Sequence, residues 1–332
     1  MTIYGAGIFG LSIAFVCAQR GAQVRVIDPF REGCSRGVVG ALAPHVPEQW
    51  NAKKAFQLES LLMAEGFFAN VSDVSGMPTG YARTGRLQPV EDEGLARARG
   101  VSAEGLWQGR AMWEVVRCAG GWEPASPSGW LVRDTLTARV QPRMALRALE
   151  AAVVALGGEV VLVGEEEGRV VHATGVAGLV DLSAALGRRV DGAVKGQAVL
   201  LRYAAEGMPQ VFADGLHIVP HGDGTVAVGS TSENVWTDLG TDGQVDALLA
   251  RAVAVMPVLA GAVVVERWAG VRPRAVTRAP VLGAWPGKRG HFVANGGFKI
   301  GFGMAPKVAQ VMADLVLDGV DGVPEGFLVA GL

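Results

Sequence analysis

Thr2-Ile3-Tyr4-Gly5-Ala6-Gly7-Ile8-Phe9-Gly10 is a short apolar run that passes into a G-x-G-x-x-G turn. The spacing predicts a buried strand, a tight turn and a helix. The three glycines act differently. Gly5 permits the turn, Gly7 lets a pyrophosphate approach the backbone, and Gly10 lets the helix pack close to the strand. The helix N-terminus offers unpaired N–H groups and partial positive charge to phosphates. Leu11 to Arg20 continues as helix, Gly21 ends it, and Gln23-Val24-Arg25-Val26-Ile27 reads as a second strand ending at Asp28. An acid about 20 residues after the turn is placed to accept from an adenosine ribose hydroxyl. In this context the motif points to a bound dinucleotide, without saying which one.

The bulk properties narrow the field. The chain has 332 residues, enough for two domains or one large one, and half are apolar. Net charge is −2, from 30 basic and 32 acidic side chains. That balance gives no electrostatic footprint for nucleic acid or an anionic membrane. The apolar run Ile8 to Ala18 is too short to span a bilayer and lies inside the phosphate motif, with no basic segment before it. With a strand expected from residue 2, no leader is expected. Cys17, Cys34 and Cys118 are odd in number and share no metal or redox spacing. Free thiols and a cytoplasmic location are expected.

Further along, Lys53 to Phe68 has helical periodicity, and Tyr81 to Val90 reads as strand–turn–strand around Gly85. Val140-Gln141-Pro142 precedes a helix over Met144 to Leu156, ended by Gly157-Gly158. Glu159 to Val163 reads as a strand. Arg169 to Gly175 reads as a buried strand ending in the small-residue turn Ala173-Thr174-Gly175. Leu216 to Pro220 and Thr225 to Gly229 flank Gly222-Asp223-Gly224, a hairpin signal. Asp242 to Val255 is expected to be helical, as is Lys307 to Leu317, with Pro306 in its first turn. β–α segments of parallel type fall at 1–77, 139–193 and 269–332, and hairpin-rich segments at 78–138 and 194–268. The expected fold class is α/β with an α+β second domain: a Rossmann-like nucleotide domain from the first set and a discontinuous, antiparallel-sheet substrate domain from the second.

A second constellation specifies the nucleotide. Trp268-Ala269-Gly270-Val271-Arg272-Pro273 precedes Ala279-Pro280-Val281-Leu282-Gly283, followed by Ala294-Asn295-Gly296-Gly297-Phe298-Lys299-Ile300-Gly301-Phe302-Gly303-Met304-Ala305-Pro306. Small residues at 296, 297, 301 and 303 let backbone approach a flat ring, and a helix N-terminus behind them stabilises negative charge there. With Gly40-Ala41-Leu42-Ala43-Pro44 and Lys195-Gly196-Gln197, these segments resemble the D-amino-acid oxidase, glycine oxidase and sarcosine oxidase family of flavoproteins over most of the chain. The resemblance implies FAD as cofactor. It places cofactor contacts at Gly5, Gly7, Ile8, Phe9, Gly10, Asp28, Ser35, Ala41, Leu42, Ala43, Thr174, Gly175, Gly270, Arg272, Gly297, Phe298, Lys299 and Ile300, with Trp50 and Trp268 as bordering rings. It gives Arg272, aided by Lys299, the role of holding a substrate carboxylate. A planar guanidinium fork suits that role. The implied reaction is oxidative deamination of a small amino acid of glycine, sarcosine or D-amino-acid type. Hydride passes from Cα to flavin N5, the imine hydrolyses to a 2-oxo acid, and oxygen or another acceptor takes the electrons. Met304 stands where sarcosine oxidases place an attachment cysteine, so the FAD is expected to be non-covalent.

The chain departs from that family in places. Only Gly164 to Gly168 separates two strands between which relatives carry a β-arm, Asp28 stands for a more frequent glutamate, and His217 for a frequent tyrosine. His217 and His221 would lie about 13 Å apart on an extended strand, too far to share a metal, so none is expected. Glu165-Glu166-Glu167 reads as a solvated turn. The rival readings are a nicotinamide-dependent dehydrogenase, a tRNA-modifying flavoenzyme, which the near-zero charge disfavours, and a non-catalytic flavin-binding protein. A homo-oligomer is left open.

Overall fold

The computed structural model describes residues 1–29, 33–47 and 49–332. In chain order the elements are β1 (Thr2–Tyr4), α1 (Ile8–Gln19), β2 (Arg25–Ile27), β3 (Ala41–Leu42), α2 (Ala52–Ser75), β4 (Arg86–Pro89), α3 (Glu93–Trp107) and β5 (Trp113–Arg117). Next come β6 (Trp130–Asp134), β7 (Ala138–Arg139), α4 (Pro142–Ala155), β8 (Glu159–Val161), β9 (Val170–His172), α5 (Gly175–Leu186), β10 (Ala193–Arg202) and β11 (Gln210–Ala213). The last are β12 (Leu216–Pro220), β13 (Thr225–Gly229), α6 (Gln244–Val255), β14 (Val263–Pro273), β15 (Val281–Ala284), β16 (His291–Asn295) and α7 (Gly301–Ala313).

Two large sheets organise the chain. The first has six strands in the order β15-β16-β9-β1-β2-β8. Its β1, β2, β8, β9 and β16 are mutually parallel; only the β15–β16 pair is antiparallel. Short β-branched strands such as β1 and β9 are buried on both faces, as parallel strands between helical layers must be. Ile3, Leu11, Ile13 and Phe15 meet Met304, Val308 and Met312 of α7 in one core.

The second sheet has eight strands, β14-β10-β13-β12-β11-β4-β6-β5. All its pairs are antiparallel except β4–β11. The two faces differ. Leu87, Val199, Leu201, Val211, Ile218 and Val228 point to one side and pack with Val245, Leu248 and Ala252 of α6. Alternation therefore sends Arg86, Ala198, Phe212, His217 and Gly229 to the opposite side. This second face, which also carries Trp268 and Arg272 of β14, holds part of the candidate site.

Several elements differ from expectation. Helix α1 begins at Ile8, inside the glycine motif, and α2 runs on to Ser75. Of the pattern expected over Tyr81 to Val90, only Arg86–Pro89 is a strand; Ala82 makes a single bridge to Arg139. Helix α3 arises within a segment read as hairpins, and the β15–β16 hairpin within one read as parallel. Helix α7 starts at Gly301, six residues before the expected Lys307, so Pro306 lies inside it. The shortened connection between β8 and β9 is anchored rather than merely solvated. Arg25 Nη1 pairs with Glu167 at 2.8 Å, Lys288 Nζ lies 3.8 Å from Glu166, and Thr2 Oγ1 donates to the Glu167 carbonyl at 3.1 Å.

Candidate active site

The glycine motif takes the shape its spacing predicts. Gly5 has φ +99°, and a Cβ there would overlap the Ala173 carbonyl; a Cβ on Gly10 would overlap the Gly5 carbonyl. Gly7 differs. Among the described residues its Cβ would meet only the Ser35 side chain, with Oγ at 3.3 Å, a tight contact with a small side chain and not with backbone. The first bond within α1 runs from Leu11 N to Gly7 O. The amides ahead of Leu11 thus lie at the positive end of the helix, with Ile8 N donating to Ser35 Oγ at 3.2 Å. Asp28 stands at the end of β2, where its Oδ2 accepts from Ala6 N at 2.8 Å. Thr174 caps α5, and the Gly175 carbonyl beside it accepts from Asn295 Nδ2 at 2.8 Å.

The remaining predicted contacts converge on the same side. Ala41 and Leu42 form β3, paired with β7, and the Ala43 carbonyl accepts from Gln57 Nε2 at 3.2 Å. The 296–300 loop folds back on the motif: a Cβ on Gly297 would stand 3.0 Å from both the Phe9 ring and Gly301 Cα. Phe298 takes a left-handed φ of 44° and donates to the Pro273 carbonyl at 3.1 Å. Ile300 caps α7, with Met304 N donating to Ile300 O at 3.0 Å and Ile300 N to the Gly297 carbonyl at 3.0 Å. Trp268 lies against Gly37 and Gly270, where a side chain on either glycine would strike its ring. Trp50 is half-buried against the cluster that includes Leu42, Leu61 and Trp107.

Arg272 reaches the site from β14. It is 7 % exposed and crosses the bare backbone of Gly196, so a Cβ there would overlap the guanidinium. Its Nη2 donates to Ser230 Oγ at 2.6 Å, and both Nη atoms approach the Thr231 carbonyl, at 3.3 and 3.4 Å. Burial pulls its pKa down, opposed by Cys34 and Glu233. An arginine remains charged regardless. The loop behind is fixed by a buried polar chain. Gln197 N donates to Thr231 Oγ1 at 2.8 Å, Gln197 Nε2 to Glu233 at 3.1 Å, and Lys195 Nζ lies 3.7 Å from Glu233. Neither Ser230 nor Thr231 was legible in the sequence, because a cross-strand partner some 40 residues away has no local signal.

Lys299 is exposed, with its ammonium 5.8 Å from the Phe298 ring. Partial burial and then the charge of Arg272 lower its pKa. Burial, then Arg86 and Lys299, push His217 down to about 3, leaving a neutral imidazole at physiological pH. Cys34 is raised to about 11, chiefly by burial, and stays a thiol.

A parallel sheet that opens on a G-x-G-x-x-G turn, joined to a second, mixed sheet that carries a buried arginine, is the build of a flavoprotein oxidoreductase. The chain belongs to the FAD dependent oxidoreductase (DAO) family, which matches residues 1–315. Its cofactor is accordingly FAD, and the nicotinamide alternative is set aside. The fit is local: a glycine at position 7 beside the small Ser35 side chain, helix N-termini at the starts of α1 and α7, and a side-chain-free pair at 296–297. The chain is 28 % identical over 350 residues to the bifunctional protein ThiO/ThiG of Nostoc sp., covering 96 % of this chain and 52 % of that one. It thus spans about half the length of that relative. Against the glycine oxidase of Geobacillus kaustophilus it is 25 % identical over 367 residues, covering 95 % and 92 %. The crystal structure of a Geobacillus kaustophilus glycine oxidase superposes with a TM-score of 0.84 over 99 % of this chain and 97 % of that one, at 22 % identity. Iminodiacetate oxidase from Chelativorans sp. gives 0.86 over 98 % of both, at 20 %. No helix among the described residues is long and apolar enough to cross a membrane.

Proposed function

We propose that this protein oxidises the C–N bond of a small amino acid, with Arg272 holding the substrate carboxylate and non-covalent FAD as acceptor. The observation that carries the reading is the buried Arg272 guanidinium, held by Ser230 and Thr231. FAD supplies a two-electron acceptor for the amine and is reoxidised by oxygen or another acceptor. Arg272 fixes the carboxylate end by a charge-assisted fork. Ser230 Oγ and the Thr231 carbonyl keep that fork from swinging, so the substrate's Cα–H is presented in one orientation, and orientation supplies much of the rate. The helix N-terminus of α7 would favour negative charge on a flavin ring held beside it. No protein base is required, since an amine in its neutral form needs none. The glycine oxidases among the relatives support the substrate class.

The test is an anaerobic titration of purified holoprotein with glycine, sarcosine and a panel of D-amino acids. Bleaching of the flavin by at least one, with peroxide or a reduced dye formed on re-aeration, is expected. No bleaching by any amino acid would transfer the protein to the non-catalytic reading, and salt-sensitive RNA binding to the tRNA-modifying one.

Lys299 gives a pH signature. Its cationic form is present below its depressed pKa and lost as pH rises through it. Affinity for an amine-free carboxylate such as butyrate should therefore fall at a lower pH than ordinary lysine ionisation would give. In Lys299→Met that alkaline fall should vanish. Identical pH profiles for the two proteins would remove Lys299 from the carboxylate site.

A further inference from the structure

The face of the eight-stranded sheet turned away from α6 carries a second arginine. Registers connect it to Arg272 without a break in facing. Arg86 lies opposite Gln210, Phe212 opposite His217, His217 opposite Gly229, Gly229 opposite Ala198, and Ala198 opposite Trp268, two and four residues before Gly270 and Arg272. Pleating sends all of these to one side.

This row has a filled part and an open part. Near Gly229 it is filled: a Cβ there would overlap Val39. Farther along it becomes an aromatic floor. The Phe212 and His217 rings are 4.7 Å apart, and the Arg86 Cζ lies 5.9 Å from the Phe212 ring. Phe212 and His217 are only half-buried, whereas Val211 and Ile218 beside them on the α6 side are fully buried. The charges of Arg86 and Lys299 both bear on His217.

Arg86 is 5 % exposed. Its Nε lies 2.8 Å from Asp134 Oδ2 but without hydrogen-bond alignment, and its Nη2 has no hydrogen-bond partner among the described residues. Asp134 serves a turn as well, accepting from Thr137 N at 2.8 Å. An ion pair with Asp134 explains why the charge is tolerated. It leaves the buried Nη2 without a hydrogen bond among the described residues. A buried guanidinium with unsatisfied donors is costly unless an acceptor meets it.

We propose that Arg86, with Phe212 and His217 as floor, forms a second subsite that receives an anionic group at the far end of the substrate, so that the preferred ligands carry two carboxylates. This rests on the reading that Arg272 takes the first carboxylate. Phe212 supplies an apolar surface for the intervening methylenes, and neutral His217 a hydrogen-bonding edge that repels neither carboxylate.

The experiment uses two inert acids of similar reach, glutarate and butyrate, on the holoprotein, read by perturbation of the flavin absorption band and by the shift in melting temperature. Glutarate should bind wild type at least tenfold more tightly than butyrate. In Arg86→Gln the two should agree within about twofold, with butyrate unchanged from wild type. A merely structural Arg86 would weaken both acids alike and leave their ratio intact. Equal affinities in wild type overturn the second subsite while leaving Arg272's role standing, and this arm decides even if Arg86→Gln does not fold. If neither acid binds wild type, the carboxylate reading of Arg272 fails first and takes the second subsite with it.

Discussion

Arg272→Ala should fold, retain FAD and lose nearly all amino-acid oxidation. The side chain lies over Gly196 and touches the 230–231 loop through its fork, so truncation removes a charge without opening the apolar cores. Loss of a charged, hydrogen-bonded anchor amounts to about 3–5 kcal/mol of transition-state binding, roughly 10²–10⁴ in rate. Lysine should rescue poorly, because an ammonium cannot reproduce two parallel donors. The control is a substrate without the carboxylate. Anaerobic flavin reduction by an amino acid should collapse, while reduction by its decarboxylated amine should change less than tenfold. Equal losses for the two substrates would mean that Arg272 supports the flavin or the fold, and its assignment would be withdrawn.

The second large effect separates two glycines three residues apart. Gly10→Ala should destabilise the whole sheet, because the new methyl would occupy the place of the Gly5 carbonyl oxygen. Overpacking of that kind typically costs about 1–3 kcal/mol, and more where only backbone can yield. Gly7→Val meets no comparable backbone obstacle in the protein, its Cβ being 3.3 Å from Ser35 Oγ. It should fold and purify colourless, its branched side chain standing where the pyrophosphate must approach. Circular dichroism, melting temperature and flavin content measured together decide the matter. A Gly7→Val protein with full flavin would falsify the placement of the phosphates at this turn.

What was legible in the sequence was local. The strand, turn and helix of residues 2–19, the acid at Asp28, and the hairpin Leu216–Pro220 with Thr225–Gly229 depend on near neighbours, and they emerge nearly as the residue pattern predicts. Helix α3 did not. It contains Gly94, Gly100 and Gly105, each worth about 1 kcal/mol against a helix, and it forms because Ala96, Ala103 and Trp107 are buried by other elements. The start of α7 was hidden for the same reason, since Gly301, Gly303 and Pro306 read as loop. In the site, Arg272 stood out by its motif. The residues that hold it, Ser230 and Thr231, and the arginine farther along its face, Arg86, come from strands and loops whose adjacency is a property of the sheet and not of the sequence spacing.

The six-stranded sheet also carries a timetable for synthesis. β1 lies between β2 and β9, β9 borders β16, and α7 closes over α1. The glycine turn at residues 5–10 therefore lacks its backing until residues 291–313 have left the ribosome. Pairing between strands so distant along the chain is slow, and Leu11, Ile13 and Phe15 remain a target for chaperones in the interval. Cofactor loading becomes a late event, following translation of the whole sheet. Nascent chains stalled before residue 290 should capture no flavin, whereas those released after residue 315 should; early capture by the shorter chains would show that β1, α1 and β2 assemble a binding turn on their own.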